Sequence, residues 1–173
     1  MTTAPSLTSI DEYMRTSYSP DCEYVDGVVV ERNVGQTKHA YTQTEIVSQL
    51  RPLMRVKSLF ALVEQRVRVS PSRVRIPDVC VIGKLDEEVI TEPPPLCVEV
   101  LSPDDRWTWS MSSVSDYLEM QVPCVWVVDP YRERAWIFEG EQPPLEVSRE
   151  GLLRAGALGI EISLTQVLPP SGT

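Results

Sequence analysis

The sequence predicts an α/β (α+β) domain, a mixed sheet of five or more strands with helices on its faces. Three observations carry this reading. Two short apolar runs, Ile76-Pro77-Asp78-Val79-Cys80-Val81-Ile82 and Leu96-Cys97-Val98-Glu99-Val100-Leu101, have the β-branched content of buried strands. A third run, Cys124-Val125-Trp126-Val127-Val128, is wholly apolar, as a strand covered on both faces would be. Stretches with apolar residues at helical spacing lie before the first run and between the second and third.

The 173 residues suffice for one domain with a real core, and 42% apolar and 24% charged residues suit a globular chain. The expected organisation is a flexible N-terminus over residues 1–8, one domain over 9–168 and a loose tail over 169–173. No stretch approaches the roughly 18 apolar residues of a membrane span. Met1-Thr2-Thr3-Ala4-Pro5 lacks the layout of a signal peptide, so a cytoplasmic protein without a membrane partner is expected. The four cysteines form no Cys-x-x-Cys pair, which argues against zinc, and Cys80, Cys97 and Cys124 lie in apolar runs as small hydrophobes. The net charge of −9 opposes generic polyanion binding. A local basic groove stays open, because Arg66, Arg68, Arg73 and Arg75 cluster; a solvated face is the favoured reading of that cluster.

In chain order, Ser9-Ile10-Asp11-Glu12 reads as a capped helix start, with Ile10, Tyr13 and Met14 facing the body. Ser19-Pro20-Asp21 ends it. Glu23 to Glu31 is a β-hairpin, because Asp26-Gly27 suits a two-residue type I′ turn. Ala40, Ile46, Val47, Leu50, Leu53 and Met54 define a helix over residues 36–56, which Pro52 should kink or end. Alternation over residues 59–69 predicts one long strand with an apolar and a charged face. Residues 83–95 form a surface loop. Ser102-Pro103-Asp104-Asp105 can cap a helix reaching about Met120, its stripe formed by Met111, Val114, Tyr117 and Leu118. After the third apolar run and an Asp129-Pro130 turn, residues 134–138 return as a hairpin partner. A last helical turn is expected over residues 163–167.

The chemistry is concentrated in Asp78 and Glu99. An ionised carboxylate inside a β-branched run is costly unless it is paired, neutralised or bound to metal. On adjacent strands the two could hold one hard cation such as Mg²⁺, with Glu23 as a third nearby acid. His39 is a candidate general base or a helix-end residue, and Gln43 lies one turn further on. Trp107 and Trp109 could stack on bases, although two positions apart on a helix do not share a face.

Glu23-Tyr24-Val25-Asp26-Gly27, Ile76-Pro77-Asp78-Val79, Val98-Glu99-Val100-Leu101-Ser102 and Val122-Pro123-Cys124-Val125-Trp126-Val127-Val128-Asp129-Pro130 occur in the order and spacing of one family. Over residues 10–138, and weakly beyond, the chain resembles the Uma-type restriction endonuclease family of the PD-(D/E)XK superfamily. The resemblance implies a restriction-endonuclease-like fold, Mg²⁺ or Mn²⁺ as cofactor, and DNA as partner. It implies Asp78 and Glu99 as metal ligands and Glu23 as a supporting acid. His39, Gln43, Arg66, Arg68 and Arg106 become candidate nucleic-acid contacts. A homodimer, with Trp136 and an exposed C-terminal hairpin at the contact, follows by analogy with enzymes that cut both strands.

One departure stands out. The superfamily lysine two residues after the second acid would fall at Leu101, and the family's helix lysine falls at Ser113. A serine carries no cation to offset developing charge. Catalysis is therefore expected to be impaired or lost unless Lys57, Lys84 or Arg106 substitutes in space. The rival reading is an inactive nucleic-acid- or protein-binding module, or a purely structural relic of the site.

Overall fold

A computed structural model describes residues 7–32, 36–103 and 107–171. The chain enters through helix α1 (Ile10–Arg15), capped by Ser9, whose Oγ accepts from the Glu12 amide at 3.2 Å. Tyr13 is fully buried, and Ile10 and Met14 pack beside it, as the helical spacing predicts. Strands β1 (Cys22–Val25) and β2 (Val28–Glu31) form the expected hairpin. Its turn residues Asp26 and Gly27 have φ of 48° and 94°, the positive pair that a type I′ turn requires.

Helix α2 (Thr37–Lys57) continues past Pro52 to Lys57, so the proline does not end it. The single strand expected over 59–69 is instead two. Strand β3 (Phe60–Val63) and strand β4 (Val67–Ser70) belong to different sheets, and Glu64 between them takes a φ of 51°. The residue-by-residue alternation runs through this break without a mark, because both halves obey it. Strands β5 (Arg73–Arg75), β6 (Val79–Ile82) and β7 (Leu96–Val100) follow, then helix α3 (Trp107–Glu119), β8 (Cys124–Asp129) and β9 (Arg134–Glu139). The end of the chain supplies β10 (Leu145–Ser148), β11 (Leu152–Ala155), a short 3₁₀ turn, β12 (Ile160–Ser163) and α4 (Leu164–Val167). The tail expected from 169 is tied at its first residue: the Pro169 carbonyl accepts from Arg149 at 2.9 Å. The acidic residues expected to cap α3 lie outside the described residues.

Six strands make the main sheet, in the order β10-β9-β8-β7-β6-β3. It is antiparallel except for β7 and β8, which run parallel, joined by the crossover through α3. A second sheet, β2-β1-β5-β4, carries the hairpin, and β11 pairs with β12. Strand alternation divides the core cleanly. Val79, Val81, Val98, Val100, Trp126 and Val128 point to one face, covered by Ile46, Leu50 and Met54 of α2 and by Leu164 and Val167 of α4. Cys80, Cys97, Val125 and Val127 point to the other, covered by Val114 and Tyr117 of α3 and by Val67 and Val69. Glu99 shares the parity of Cys97, so its carboxylate is directed to the α3 face. No helix among the described residues is long and apolar enough to cross a membrane.

Candidate active site

The β6–β7 register pairs Val79 with Val98, which brings Asp78 alongside Glu99 and Val100. The contact is direct: the Val100 amide donates to Asp78 Oδ2 at 2.7 Å. The two acids that stand out in the sequence therefore meet on neighbouring strands. Helix α2 begins above them. His39 Nε2 lies 3.2 Å from the same Oδ2, and Gln43 Nε2 donates to the Asp78 carbonyl at 2.9 Å. Their spacing of one helical turn puts both on one face, and that face grips Asp78.

The other oxygen, Asp78 Oδ1, accepts from Arg32 Nη2 at 2.9 Å. Arg32 follows β2 and also lies 3.8 Å from Glu64 through Nη1. Its burial works to lower the guanidinium pKa, but the surrounding acids, Asp78 and Glu99 foremost, outweigh it and hold the charge more firmly. Nothing in the sequence pattern pointed to Arg32, because its approach depends on how the hairpin docks.

Glu99 accepts a 2.6 Å hydrogen bond from the Tyr117 hydroxyl on α3. Burial pushes the Glu99 carboxyl well above the usual carboxylate range, and the charges of Asp78 and Glu23 push it further; Tyr117 and Arg32 oppose this. Burial likewise raises Tyr117, with Glu99 next in effect. Ser113, one turn before Tyr117, is buried. The helix that carries it contains no Lys or Arg.

Glu23 reaches the same region from β1, with both oxygens engaged. Oε2 accepts from Arg75 Nη1 at 2.7 Å and Oε1 from the Ile76 amide at 3.1 Å. Arg75, fully buried, also donates from Nε to Asp116 at 2.6 Å and from Nη2 to Ser112 at 2.9 Å. Glu23 thus joins the hairpin to α3 through one arginine.

This corrects the solvated-face reading of the arginine cluster. Arg75 is inside, where only a bidentate, fully paired guanidinium is tolerable. Arg73 bridges Asp26 and Asp116, and Arg66 forks onto Asp21 with its guanidinium 4.7 Å from the Tyr13 ring centroid. Arg68 bonds the Pro71 carbonyl at an exposed position. Neither Arg66 nor Arg68 contacts the acid pair. Arg106 lies outside the described residues, as do the side chains of Trp107 and Trp109.

Two of the expected substitutes for the missing lysine, Lys57 and Lys84, are out of reach. Lys57 ends α2 while His39 begins it, a separation of ~27 Å along the helix axis at 1.5 Å per residue. Lys84 follows β6 at the end away from Asp78. Trp136 is half-buried against the α3-side core, with Arg134 5.6 Å from its ring centroid.

Asp78 and Glu99 suit a hard cation that takes one or two carboxylates and keeps its waters. Burial is the main cause that raises Glu99, and the further push from Asp78 and Glu23 is what such an ion would relieve. Among the described residues no group of three or more His, Cys, Asp or Glu side chains is placed to hold a metal ion, so the protein would supply two carboxylates at most.

The structure is a mixed α+β fold with an acid pair at the junction of two neighbouring strands. A crystal structure titled as a "putative nuclease belonging to DUF820", from Anabaena variabilis ATCC 29413, matches it with a TM-score of 0.83 and 20% identity, covering 92% of this chain and 97% of that one. At that identity the likeness establishes the fold. The chain belongs to the Uma2 family, described as "Putative restriction endonuclease", whose profile matches residues 10–166. Among curated proteins none matches it.

Proposed function

We propose that the protein is a divalent-metal-dependent DNA endonuclease in which Asp78 and Glu99 hold Mg²⁺ or Mn²⁺. The observation that carries this reading is the abutting of the two acids, with the Val100 amide clamping Asp78 beside Glu99. A bound cation would supply Lewis-acid stabilisation of the charge that builds on a phosphate oxygen. The chain's own residues fix the geometry. His39, Gln43 and the Val100 amide orient Asp78, Tyr117 orients Glu99, and Glu23 through Arg75 sets the height of α3 above the sheet. Two copies around a two-fold axis would present two such sites to a duplex.

A second reading is favoured by one specific feature, the lack of a cation on α3. On that reading the fold is kept as a nucleic-acid- or protein-binding module with little or no catalysis. Plasmid cleavage in Mg²⁺ and in Mn²⁺ separates the two. The unaltered chain cuts and Glu99→Gln does not if the first holds. Cleavage only by Ser113→Lys, whose ammonium would sit one helical turn from Tyr117, identifies an intact scaffold that lost its lysine. No cleavage by any of the three favours the binding module.

A further inference from the structure

Asp78 Oδ2 has two partners, the Val100 amide, which donates to it, and the His39 ring nitrogen 3.2 Å away, and a carboxylate oxygen has two lone pairs. That oxygen is saturated. Oδ1 carries one partner, the Arg32 guanidinium at 2.9 Å. A cation that binds Asp78 must therefore take the remaining lone pair of Oδ1, directly beside the positive charge of Arg32. We infer that Arg32 is a built-in competitor of the divalent metal, a resident counter-ion that sets how weakly Asp78 and Glu99 take up the cation. This rests on the reading of Asp78 and Glu99 as a metal pair and adds what controls their occupancy.

Other observations fit this role better than a purely structural one. Arg32 comes from outside the sheet that holds the acids, at the end of the outermost hairpin strand. Its side chain keeps 21% of its surface, whereas the structural Arg75 keeps 1%. Its second contact, Glu64, is long at 3.8 Å and exposed, so the guanidinium is anchored chiefly by Asp78. A guanidinium displaced from a carboxylate finds an equally good bidentate partner in the two non-bridging oxygens of a phosphodiester. The competitor would then become a phosphate contact once metal and nucleic acid are both present.

The test is a Mn²⁺ titration of the full chain without nucleic acid, followed calorimetrically. Arg32→Gln and the apolar Arg32→Met should each bind Mn²⁺ tighter than the unaltered chain by about tenfold or more, since each removes a unit charge beside a divalent ion. Arg32→Lys, which keeps the charge, should stay near the unaltered Kd, and Asp78→Asn should lose the binding. Two variants guard against one failing to fold. Unchanged or weaker binding in the folded Gln or Met variant overturns the inference while leaving the metal pair standing. Tightening in Arg32→Lys equal to that in Arg32→Gln also overturns it, because charge would not be the cause. No Mn²⁺ binding by any of the proteins sinks the metal pair and the inference together.

Discussion

Arg75 donates to Asp116 at 2.6 Å with both side chains almost wholly withdrawn from water, and the same guanidinium reaches Glu23 at 2.7 Å. One cation thus ties α3, β5 and the N-terminal hairpin together beneath the acid pair. Removing it would leave buried Glu23 without its ion pair and Asp116 with Arg73 alone. Arg75→Met should cost about 3–5 kcal/mol, the usual penalty for breaking a buried pair from one side. Urea denaturation measures it. Arg75→Lys should recover little, because a single ammonium cannot address Glu23, Asp116 and Ser112 in a planar fork.

Glu99 gives the protein a pH dependence of unusual sign. Its carboxyl is raised in the folded state, so the folded chain holds a proton that the unfolded chain has released above the ordinary glutamate value of about 4.3. Stability attributable to this group therefore falls as pH rises from that value through the folded pKa. Glu99→Gln keeps an acceptor for Tyr117 and has no proton to lose. Thermal melts at a series of pH values should show the variant more stable than the unaltered chain near neutrality, with the difference vanishing in acid.

Gly27 holds the hairpin turn at a φ of 94°, and a methyl group there would also approach the Leu7 side chain to 2.8 Å. Leu7 is exposed and can move, so the cost is mainly conformational. Gly27→Ala should destabilise the chain by roughly 1–2 kcal/mol, or about 2–4 °C in Tm per kcal/mol for a protein of this size.

The cysteines should be chemically quiet. All four are buried, and burial pushes the Cys80 and Cys124 thiols up to about 12. Thiolates react, thiols do not. A disulfide exchange reagent at neutral pH should label the native protein slowly and titrate four thiols rapidly once it is denatured.

The acid pair was readable in the sequence because a carboxylate flanked by valines is costly to bury, and the antiparallel β6–β7 pairing then set Asp78 beside Glu99 on the neighbouring strand. The hairpin turn, α1 and the core stripe of α3 were readable for the same reason: each is set by residues within a few positions. Arg32 and Arg75 were not. Both sit in stretches whose spacing suits an exposed residue equally well, and only docking between elements decides which charges end up opposite one another. The division between β3 and β4 escaped for a subtler cause, since a change of sheet at Glu64 leaves the two-residue alternation intact on both sides.

The contacts that build the site differ greatly in the length of chain they close. Val100 reaches Asp78 across 22 residues, Arg32 reaches it across 46, and Glu23 reaches Arg75 across 52. Long closures contribute their stabilisation only after the loop entropy is met, which orders assembly when a chain is made from its N-terminus. Arg32 has left the ribosome well before Asp78, and Asp78 before Glu99. Asp78 and Glu99 therefore both emerge after Arg32, and the acid pair is completed last, in a chain that already holds that guanidinium, whereas Glu23 emerges first and waits for Arg75.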